Sequence, residues 1–286
     1  MIQAVSRANQ PQDRPLRLFA TLWSLRQYPT RSREWSWERK FSAIRAAGCD
    51  GVFSPPRPEL ADRGSLAYLG VVSLDHPRKV APALQAVKEL GAEAIDVQLG
   101  DYDSNLADML KLTDRLQAVA TELDLPFAVE THRDTFTETP EATLALARGH
   151  QRRTGRQLPL CLDHSHFAVV RHLAPDAFWP RLRQPAALLA AANQFHLRPF
   201  NGHHCQIPVL DRNGRFTLEY RDWRRYAAAL MAHLHRTPSP APVRAVPELG
   251  HAAPAYGLSC FGDTWRDAQA LVRDLRRLWR ETAAVT

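Results

Sequence analysis

Glycine and cysteine are scarce in the 286-residue chain, and each scarcity excludes a class of protein. Only 13 glycines occur, and none lies in the 23–25 turn after the first apolar run, where a dinucleotide-binding fold would carry its glycine-rich phosphate loop. The four cysteines are Cys49, Cys161, Cys205 and Cys260. None forms a C-x-x-C pair, so neither a zinc knuckle nor a thioredoxin-type redox motif is indicated, and we expect reduced, buried thiols.

Long apolar runs are also missing. The uncharged run at 184–197 is too short or too polar to span a bilayer. The opening MIQAVSRANQPQDRP has neither the apolar core nor the cleavage site of a secretory signal peptide. We therefore expect a cytoplasmic protein without a membrane partner.

The charge balance is positive, but its distribution does not favour a nucleic-acid partner. The chain has 37 Lys and Arg against 30 Asp and Glu, a formal net charge of +7. Much of the excess is arginine scattered along helical patterns, as at 152–156 and 276–280, with no basic stripe interleaved with aromatic residues. A small-molecule ligand is therefore the expected partner, and a homo-oligomer is compatible with the composition.

Short β-rich apolar runs alternate with helical patterns along the whole chain. Strands are expected at 16–22, 51–53, 67–74, 94–99, 127–131, 158–162, 194–197 and 243–247. Such alternation predicts parallel strands joined by helices, and eight units without a linker favour a closed barrel of about 250 residues. The expected fold is α/β, a single (β/α)₈ TIM barrel, with 1–14 a flexible N-terminal tail and 15–286 the catalytic domain.

Four consecutive strands end in polar side chains of a particular kind. The fifth to eighth runs finish with Glu130, Asp163, His196 and Glu248. In barrels of this type, chemistry sits at the carboxyl ends of the strands. Three converging carboxylates repel one another unless a cation lies between them, and a mixed oxygen and imidazole set suits Mn²⁺, Mg²⁺, Co²⁺ or Zn²⁺. The pattern predicts one divalent metal ion at this rim.

These four positions, with the Asp-x-x-His motif at 163–166, resemble the xylose isomerase-like barrel superfamily, the sugar phosphate isomerase/epimerase group. The resemblance covers almost the whole chain. It implies that Glu130, Asp163, His196 and Glu248 are the metal ligands and that His166 contacts the substrate.

Two features depart from the ketose 3-epimerases of that superfamily. Those enzymes tend to carry an Arg six residues after the metal-binding His, where this chain has Gly202. They also carry a second Glu shortly after the first, in a region occupied here by Phe136 and Glu138. A strict ketose 3-epimerase is therefore not the expected enzyme.

The expected chemistry is proton transfer on a sugar or sugar-like polyol. A metal ion polarises a substrate carbonyl or hydroxyl, and Glu130 and Glu248 act as acid and base through an enediolate-type intermediate. Isomerisation or epimerisation is the first expectation. A metal-dependent lyase or dehydratase on a keto-sugar or inosose is the alternative, because the same intermediate leads to both.

Further residues near the same rim are candidates for substrate contact. The candidates are His166, His132, Arg198, His203 and Trp23. All of them except His166 also have a structural alternative, namely a loop histidine in solvent, a surface arginine, or an indole packed at the barrel mouth. Gln98 and Asp101, at the end of the fourth strand, are less strongly indicated.

Two rivals of other classes share the expected barrel. One is an endonuclease IV-like DNA repair nuclease, but the fourth strand would then end in a His where this chain has Gln98. The Asp-x-His expected after the seventh strand is also missing, since 211–213 lacks the His. The other rival is a non-catalytic barrel with a vestigial site.

Overall fold

The computed structural model describes residues 14–237, 239, 241–250 and 261–284. The strands are β1 (Leu16–Thr21), β2 (Gly51–Ser54), β3 (Ala67–Leu74), β4 (Ala94–Leu99), β5 (Phe127–Glu130), β6 (Leu160–Leu162), β7 (Ala192–His196) and β8 (Val243–Val246). The described α-helices are α1 (Trp37–Ala46), α2 (Pro77–Glu89), α3 (Leu106–Glu122), α4 (Pro140–Thr154), α5 (His164–Val170), α6 (Phe178–Leu182), α7 (Ala186–Ala190), α8 (Leu218–Arg236) and α9 (Thr264–Ala283).

The eight strands close into one parallel barrel in sequence order. Each strand pairs with the next, and β1 closes the ring on β8 through the register Leu16↔Val243 and Leu18↔Ala245. The predicted single (β/α)₈ barrel is confirmed. One connection differs, because β2 and β3 are joined by a 3₁₀ turn at Pro58–Asp62 rather than by an α-helix. Three prolines at 55, 56 and 58 explain the difference, since proline lacks the N–H that a helix needs.

Strand bounds follow the sequence prediction closely. The strands β3 and β4 match it residue for residue. The helix α4 ends at Thr154, where Gly155 adopts a φ of +71°. The helix α8, of 19 residues, precedes β8. The prediction of a flexible tail falls largely on residues outside the described ones, although Arg14 is buried and donates to the carbonyl of Ala241.

The apolar core has two layers. The larger layer lies between the barrel and its helices. A smaller cluster fills the barrel interior with Phe19, Phe53, Leu69, Val71, Ala94 and Val246. The ring of Phe53 also packs edge-on against His196, with ring centroids 5.0 Å apart. The interior cluster is thus the floor on which polar residues at the carboxyl ends of the strands rest.

Three of the four cysteines lie in the described part of the chain. Cys49, Cys161 and Cys205 are buried free thiols, as expected, and Cys260 lies outside the described residues. In the described part of the chain, none of the helices is both long and apolar enough to cross a membrane.

The loop after β7 is tied to α9 by a buried carboxylate, which predicts a pH dependence of stability. Asp267 accepts hydrogen bonds from the backbone N–H groups of Val209 (3.0 Å) and Leu210 (3.2 Å). Burial raises the pKa of Asp267 from 3.8 to about 6. Because the pKa is raised in the fold, this group's contribution to stability is complete below pH 3.8 and is lost as the pH rises through about 6.

We therefore expect the free energy of unfolding of the wild type minus that of Asp267→Asn to decrease as the pH rises from 4 to 7. Urea unfolding of both proteins across this range measures the difference. The variant retains all other titrating groups, so subtracting its values from those of the wild type leaves the pH dependence that comes from Asp267. A difference that stays constant or grows with pH contradicts the expectation.

Candidate metal centre

The barrel brings together the four side chains that the sequence predicted at its rim. Glu130 ends β5, Asp163 follows β6, His196 ends β7 and Glu248 lies two residues after β8. One ligand atom from each lies within 4.8 Å of the others, and all four side chains are buried. Parallel strands that end at the same edge of the barrel explain the convergence.

The geometry of the four side chains is centred on Nδ1 of His196. This nitrogen lies 3.0 Å from Oε1 of Glu130, 2.9 Å from Oε2 of Glu248 and 3.8 Å from Oδ2 of Asp163. Neither ring nitrogen of His196 makes a hydrogen bond of acceptable geometry with a described residue. Octahedral ligands at about 2.1 Å from a cation are about 3.0 Å apart along each edge, so the donor set fits a divalent ion.

The electrostatics of the cluster point the same way. Burial opposes ionisation of Glu130, but the neighbouring His196 outweighs it and lowers the pKa of Glu130 to about 2. Burial also opposes the imidazolium form of His196, yet its neighbours, Cys161 and Glu130 foremost, hold the pKa of His196 well above its usual range. A proton on His196 therefore balances the carboxylates when no cation is bound, and a cation would replace that proton.

Glu130 is fixed by contacts on both its main chain and its side chain. Thr137 Oγ1 donates to the carbonyl oxygen of Glu130. Gln98 Nε2 donates to Oε2 of Glu130 (2.8 Å), and Ser73 Oγ donates to Oε1 of Gln98 (2.9 Å). The other carboxylate oxygen of Glu130 is thereby directed at His196.

Asp163 both caps a helix and belongs to the four-residue cluster. Its Oδ1 accepts the N–H of Ser165 (2.9 Å) and so caps the N-terminus of α5. Its own N–H donates to Oγ1 of Thr131 (2.9 Å). Its Oδ2 faces the cluster, where it lies 3.3 Å from Nε2 of His166. The cap therefore sets the direction of the oxygen that faces the cluster.

Glu248 is positioned through the backbone that follows it. The side chain of Gln206 makes two hydrogen bonds of 3.0 Å with the backbone of Gly250, one to the carbonyl and one from the N–H. Ser24 Oγ donates to the carbonyl of Leu249. The loop after β7 and the turn after β1 thus hold the segment that carries Glu248.

Arg198, expected as a substrate contact or a surface arginine, is buried inside the cluster. Its guanidinium donates to Oδ2 of Asp163, to Oε1 of Glu248 (3.2 Å) and lies 2.9 Å from Nε2 of His166. Three carboxylates and one guanidinium carry a formal charge of −2. A single divalent cation neutralises this charge when His196 is neutral.

Three of the other candidates border the cluster. His166 is buried, and its ring centroid lies 4.3 Å from that of the half-buried His132. The half-buried indole of Trp23 packs edge-on against Phe53 at 5.4 Å, and Phe53 in turn packs on His196. All three side chains therefore lie where a substrate bound at the four-residue cluster could contact them.

His203 lies elsewhere. It is exposed, and its Nδ1 is 3.0 Å from Nε2 of His172, at the end of α5. Both histidines line a cavity of about 340 Å³ that includes Glu219 and Asp222 of α8. None of the four clustered side chains lines this cavity.

Sequence reasoning missed Asp96. It lies on β4, is fully buried, and its Oδ2 is 3.0 Å from Nε2 of His196. Cys161 joins these two residues in a second close group. The available signal was a lone carboxylate in the middle of the apolar strand AIDVQL, two residues before Gln98.

Comparisons with known proteins agree on the fold. No protein-family model and no curated protein sequence matches the chain. Among solved structures, L-ribulose 3-epimerase is similar with a TM-score of 0.60 at 12% identity, over 95% of this chain and 98% of that one.

Two further similar structures carry other chemistries. The probable 3-DHS dehydratase AsbF of petrobactin synthesis from Bacillus anthracis has a TM-score of 0.54 at 14% identity, over 91% and 98% of the two chains. Endonuclease IV from Thermus thermophilus has a TM-score of 0.53 at 14% identity, over 93% and 100%. The resemblance to xylose isomerase-like barrels is thus confirmed as a likeness of fold.

The four-residue cluster predicts tight binding of one divalent cation per chain. Asp163→Asn keeps an oxygen to cap α5 but removes a ligand charge, so we expect at least about 100-fold weaker Mn²⁺ binding, about 2.8 kcal/mol. Calorimetric titration of the metal-free protein measures affinity and stoichiometry. His203→Ala, in the separate cavity, is the control that should bind as wild type does. Equal affinity in Asp163→Asn would refute the expected role of this carboxylate.

The hydrogen bond from Gln98 predicts a smaller effect. Gln98→Leu removes the donor to Oε2 of Glu130 and leaves that carboxylate free to rotate. We expect about 10- to 100-fold weaker Mn²⁺ binding, the range usual for the loss of an outer contact to a ligand. Gln85→Leu, which removes an amide bonded to Glu89 on the surface of α2, is the matched control. Unchanged affinity in Gln98→Leu would show that the bond does not position Glu130.

Proposed function

We propose that the chain is a divalent-metal-dependent isomerase or epimerase of a sugar or sugar-like polyol. The observation that carries the proposal is the arrangement of two glutamates around one imidazole nitrogen. Glu130 and Glu248 each direct one oxygen at Nδ1 of His196, at 3.0 and 2.9 Å. The second oxygen of each is held by a donor, Gln98 in one case and Arg198 in the other.

In this proposal Glu130, Asp163, His196 and Glu248 hold one Mn²⁺, Mg²⁺, Co²⁺ or Zn²⁺ ion. The bound ion would polarise the carbonyl and hydroxyl oxygens of the substrate and stabilise negative charge that develops there. The full burial of Asp163 and the near-full burial of Glu130 keep water away from the ligand carboxylates.

The two glutamates are also the proposed acid and base. One carboxylate takes the proton from the carbon next to the substrate carbonyl, and a carboxylate returns it to the same or a neighbouring carbon. The two are not equivalent, because Glu248 bonds a guanidinium while Glu130 bonds a neutral amide. The cationic partner favours the ionised form of Glu248, so the two groups can differ in proton affinity during the reaction.

The residues that border the cluster supply the proposed substrate contacts. His166 and His132 present imidazoles tilted at 56° to each other, and the half-buried Trp23 would offer an apolar ring face to a sugar. Arg198 lies between the carboxylates of Asp163 and Glu248, where a substrate oxygen near the ion could meet it. A substrate contact from His203 stays a prediction, since its ring partner is His172.

A lyase or dehydratase is the second candidate. After the same proton abstraction, the hydroxyl on the carbon next to the deprotonated one can leave as water, with its proton supplied by the glutamic acid that took the first proton. The similarity to the probable dehydratase AsbF, although one of fold, keeps this outcome open to test. A nuclease is not proposed, because the two candidate metal groups of the described residues share His196 and so do not form a three-ion centre.

Solvent exchange tests the proposal without knowledge of the substrate. The protein would be incubated with Mn²⁺ in D₂O with keto sugars, inososes and 3-keto-glycosides, and products analysed by NMR. We expect deuterium next to the carbonyl of at least one compound, with about 10²- to 10⁴-fold less exchange in Glu130→Gln and Glu248→Gln. Loss of water from the labelled product would identify a dehydratase instead.

Two controls make the experiment decisive. Gln85→Leu should exchange deuterium at the wild-type rate, because its amide bonds Glu89 on the surface of α2, away from the cluster. Mn²⁺ binding without exchange in any compound, repeated with Mg²⁺, Co²⁺ and Zn²⁺, would contradict the proposal and support a non-catalytic metal-binding barrel.

A further inference from the structure

Strand β4 supplies none of the four proposed ligands, yet it contacts the imidazole among them. Asp96, at the middle of this strand, is fully buried, and its Oδ2 lies 3.0 Å from Nε2 of His196. Neither oxygen of Asp96 has a hydrogen-bond partner of acceptable geometry among the described residues. A buried carboxylate without another partner is costly, so its position beside the imidazole calls for a physical reason.

The two nitrogens of His196 face different carboxylates. Nδ1 is directed at Glu130 and Glu248, while Nε2 is directed at Asp96. A neutral imidazole carries its proton on one nitrogen and a lone pair on the other. A carboxylate next to Nε2 stabilises the tautomer with the proton on Nε2, which leaves the lone pair on Nδ1.

We propose that Asp96 is a positioning residue that holds His196 in the Nε2–H tautomer, with the Nδ1 lone pair directed at the cation. The inference rests on the proposed metal site and names a residue outside its four ligands. Asp96 acts through His196 and contacts neither the cation nor the substrate.

The alternation of β4 explains how one strand supports the site. Residues two apart on a strand point to the same face, so Ala94, Asp96 and Gln98 share the barrel interior. Ala94 belongs to the apolar floor, Asp96 contacts His196, and Gln98 bonds Glu130. Successive inward residues of β4 therefore form a layer that orients two of the ligands.

The ring of His196 is also restrained sideways. Phe53 packs edge-on against it from the barrel interior, with ring planes at 77°. Phe53 thus restrains one side of the His196 ring, and Asp96 lies at Nε2. A rotation of the ring that turned Nδ1 away from Glu130 and Glu248 would lose the contacts of both ring nitrogens. Orientation and tautomer are thus set together.

A competing reading of the same residues is a second cation site. Asp96, Cys161 and His196 each offer a ligand atom within 4.8 Å of the others. Binding there while Nδ1 holds the first ion would require His196 to lose the Nε2 proton and become an imidazolate. The positioning role needs only a neutral imidazole, and we therefore favour it.

The test compares Zn²⁺ binding and the imidazole spectrum in four proteins: wild type, Asp96→Ala, Asp96→Asn and Cys161→Ser. Zn²⁺ is diamagnetic, so ¹⁵N-edited NMR of the loaded proteins reports which nitrogen of His196 carries the proton. Wild type should bind one Zn²⁺ per chain and show the proton on Nε2. We expect about 100-fold weaker binding in Asp96→Ala and about tenfold weaker binding in Asp96→Asn, which keeps an acceptor oxygen.

Cys161→Ser is the matched control, since it changes the third member of the close group that Asp96 and His196 form, and it should retain wild-type affinity and tautomer. Wild-type affinity and an unchanged His196 spectrum in the Asp96 variants would overturn the proposal. It would also be overturned if the wild type bound two Zn²⁺ ions per chain and both Asp96→Ala and Cys161→Ser bound one. Should Asp96→Ala not fold, wild-type affinity in Asp96→Asn has the same consequence. Absence of any Zn²⁺ binding by folded wild-type protein would instead contradict the proposed metal site itself.

Discussion

The mutual repulsion of buried carboxylates around His196 is the constraint on which the site depends. Glu130, Asp163 and Glu248 are each brought within 4 Å of the same imidazole nitrogen, and Asp96 lies at the other nitrogen. Such a concentration of anionic groups away from water is stable only with compensating positive charge. Arg198 supplies part of it from within the fold. A divalent cation would offset two of the remaining negative charges, and the same cation would then be available to a substrate oxygen.

The barrel makes this concentration possible because it fixes the backbone at the points from which the carboxylates project. Thr137 holds the carbonyl of Glu130, Thr131 holds the N–H of Asp163, and Gln206 holds the segment after Glu248. Each of these contacts is made by a side chain outside the four-residue cluster. Contacts at several points of the barrel rim thus offset the free-energy cost of holding like charges close together, and the packed barrel interior keeps those points fixed.

The fold and the four-residue cluster could be predicted from sequence because both leave local signals. The alternation of short apolar runs with helical patterns, together with turn residues, indicates the strands. A polar residue directly after an apolar run indicates each strand end. The environment of Arg198 could not be predicted, because an arginine two residues after His196 carries no signal of whether it faces solvent or the Glu248 and Asp163 carboxylates. Asp96 was missed for a related reason, since its partner lies 100 residues away and meets it only when the barrel closes. The contact between His203 and His172 likewise joins residues that are 31 positions apart, and their spacing carries no signal of it.

Anomalous diffraction from crystals grown with Mn²⁺, recorded on both sides of the manganese absorption edge, tests the central claim most directly. We expect one anomalous peak in the barrel, bonded at about 2.1–2.2 Å to Nδ1 of His196 and to oxygens of Glu130, Asp163 and Glu248. A map with no peak between these four side chains, or with the carboxylates turned away from one another, would contradict the metal site.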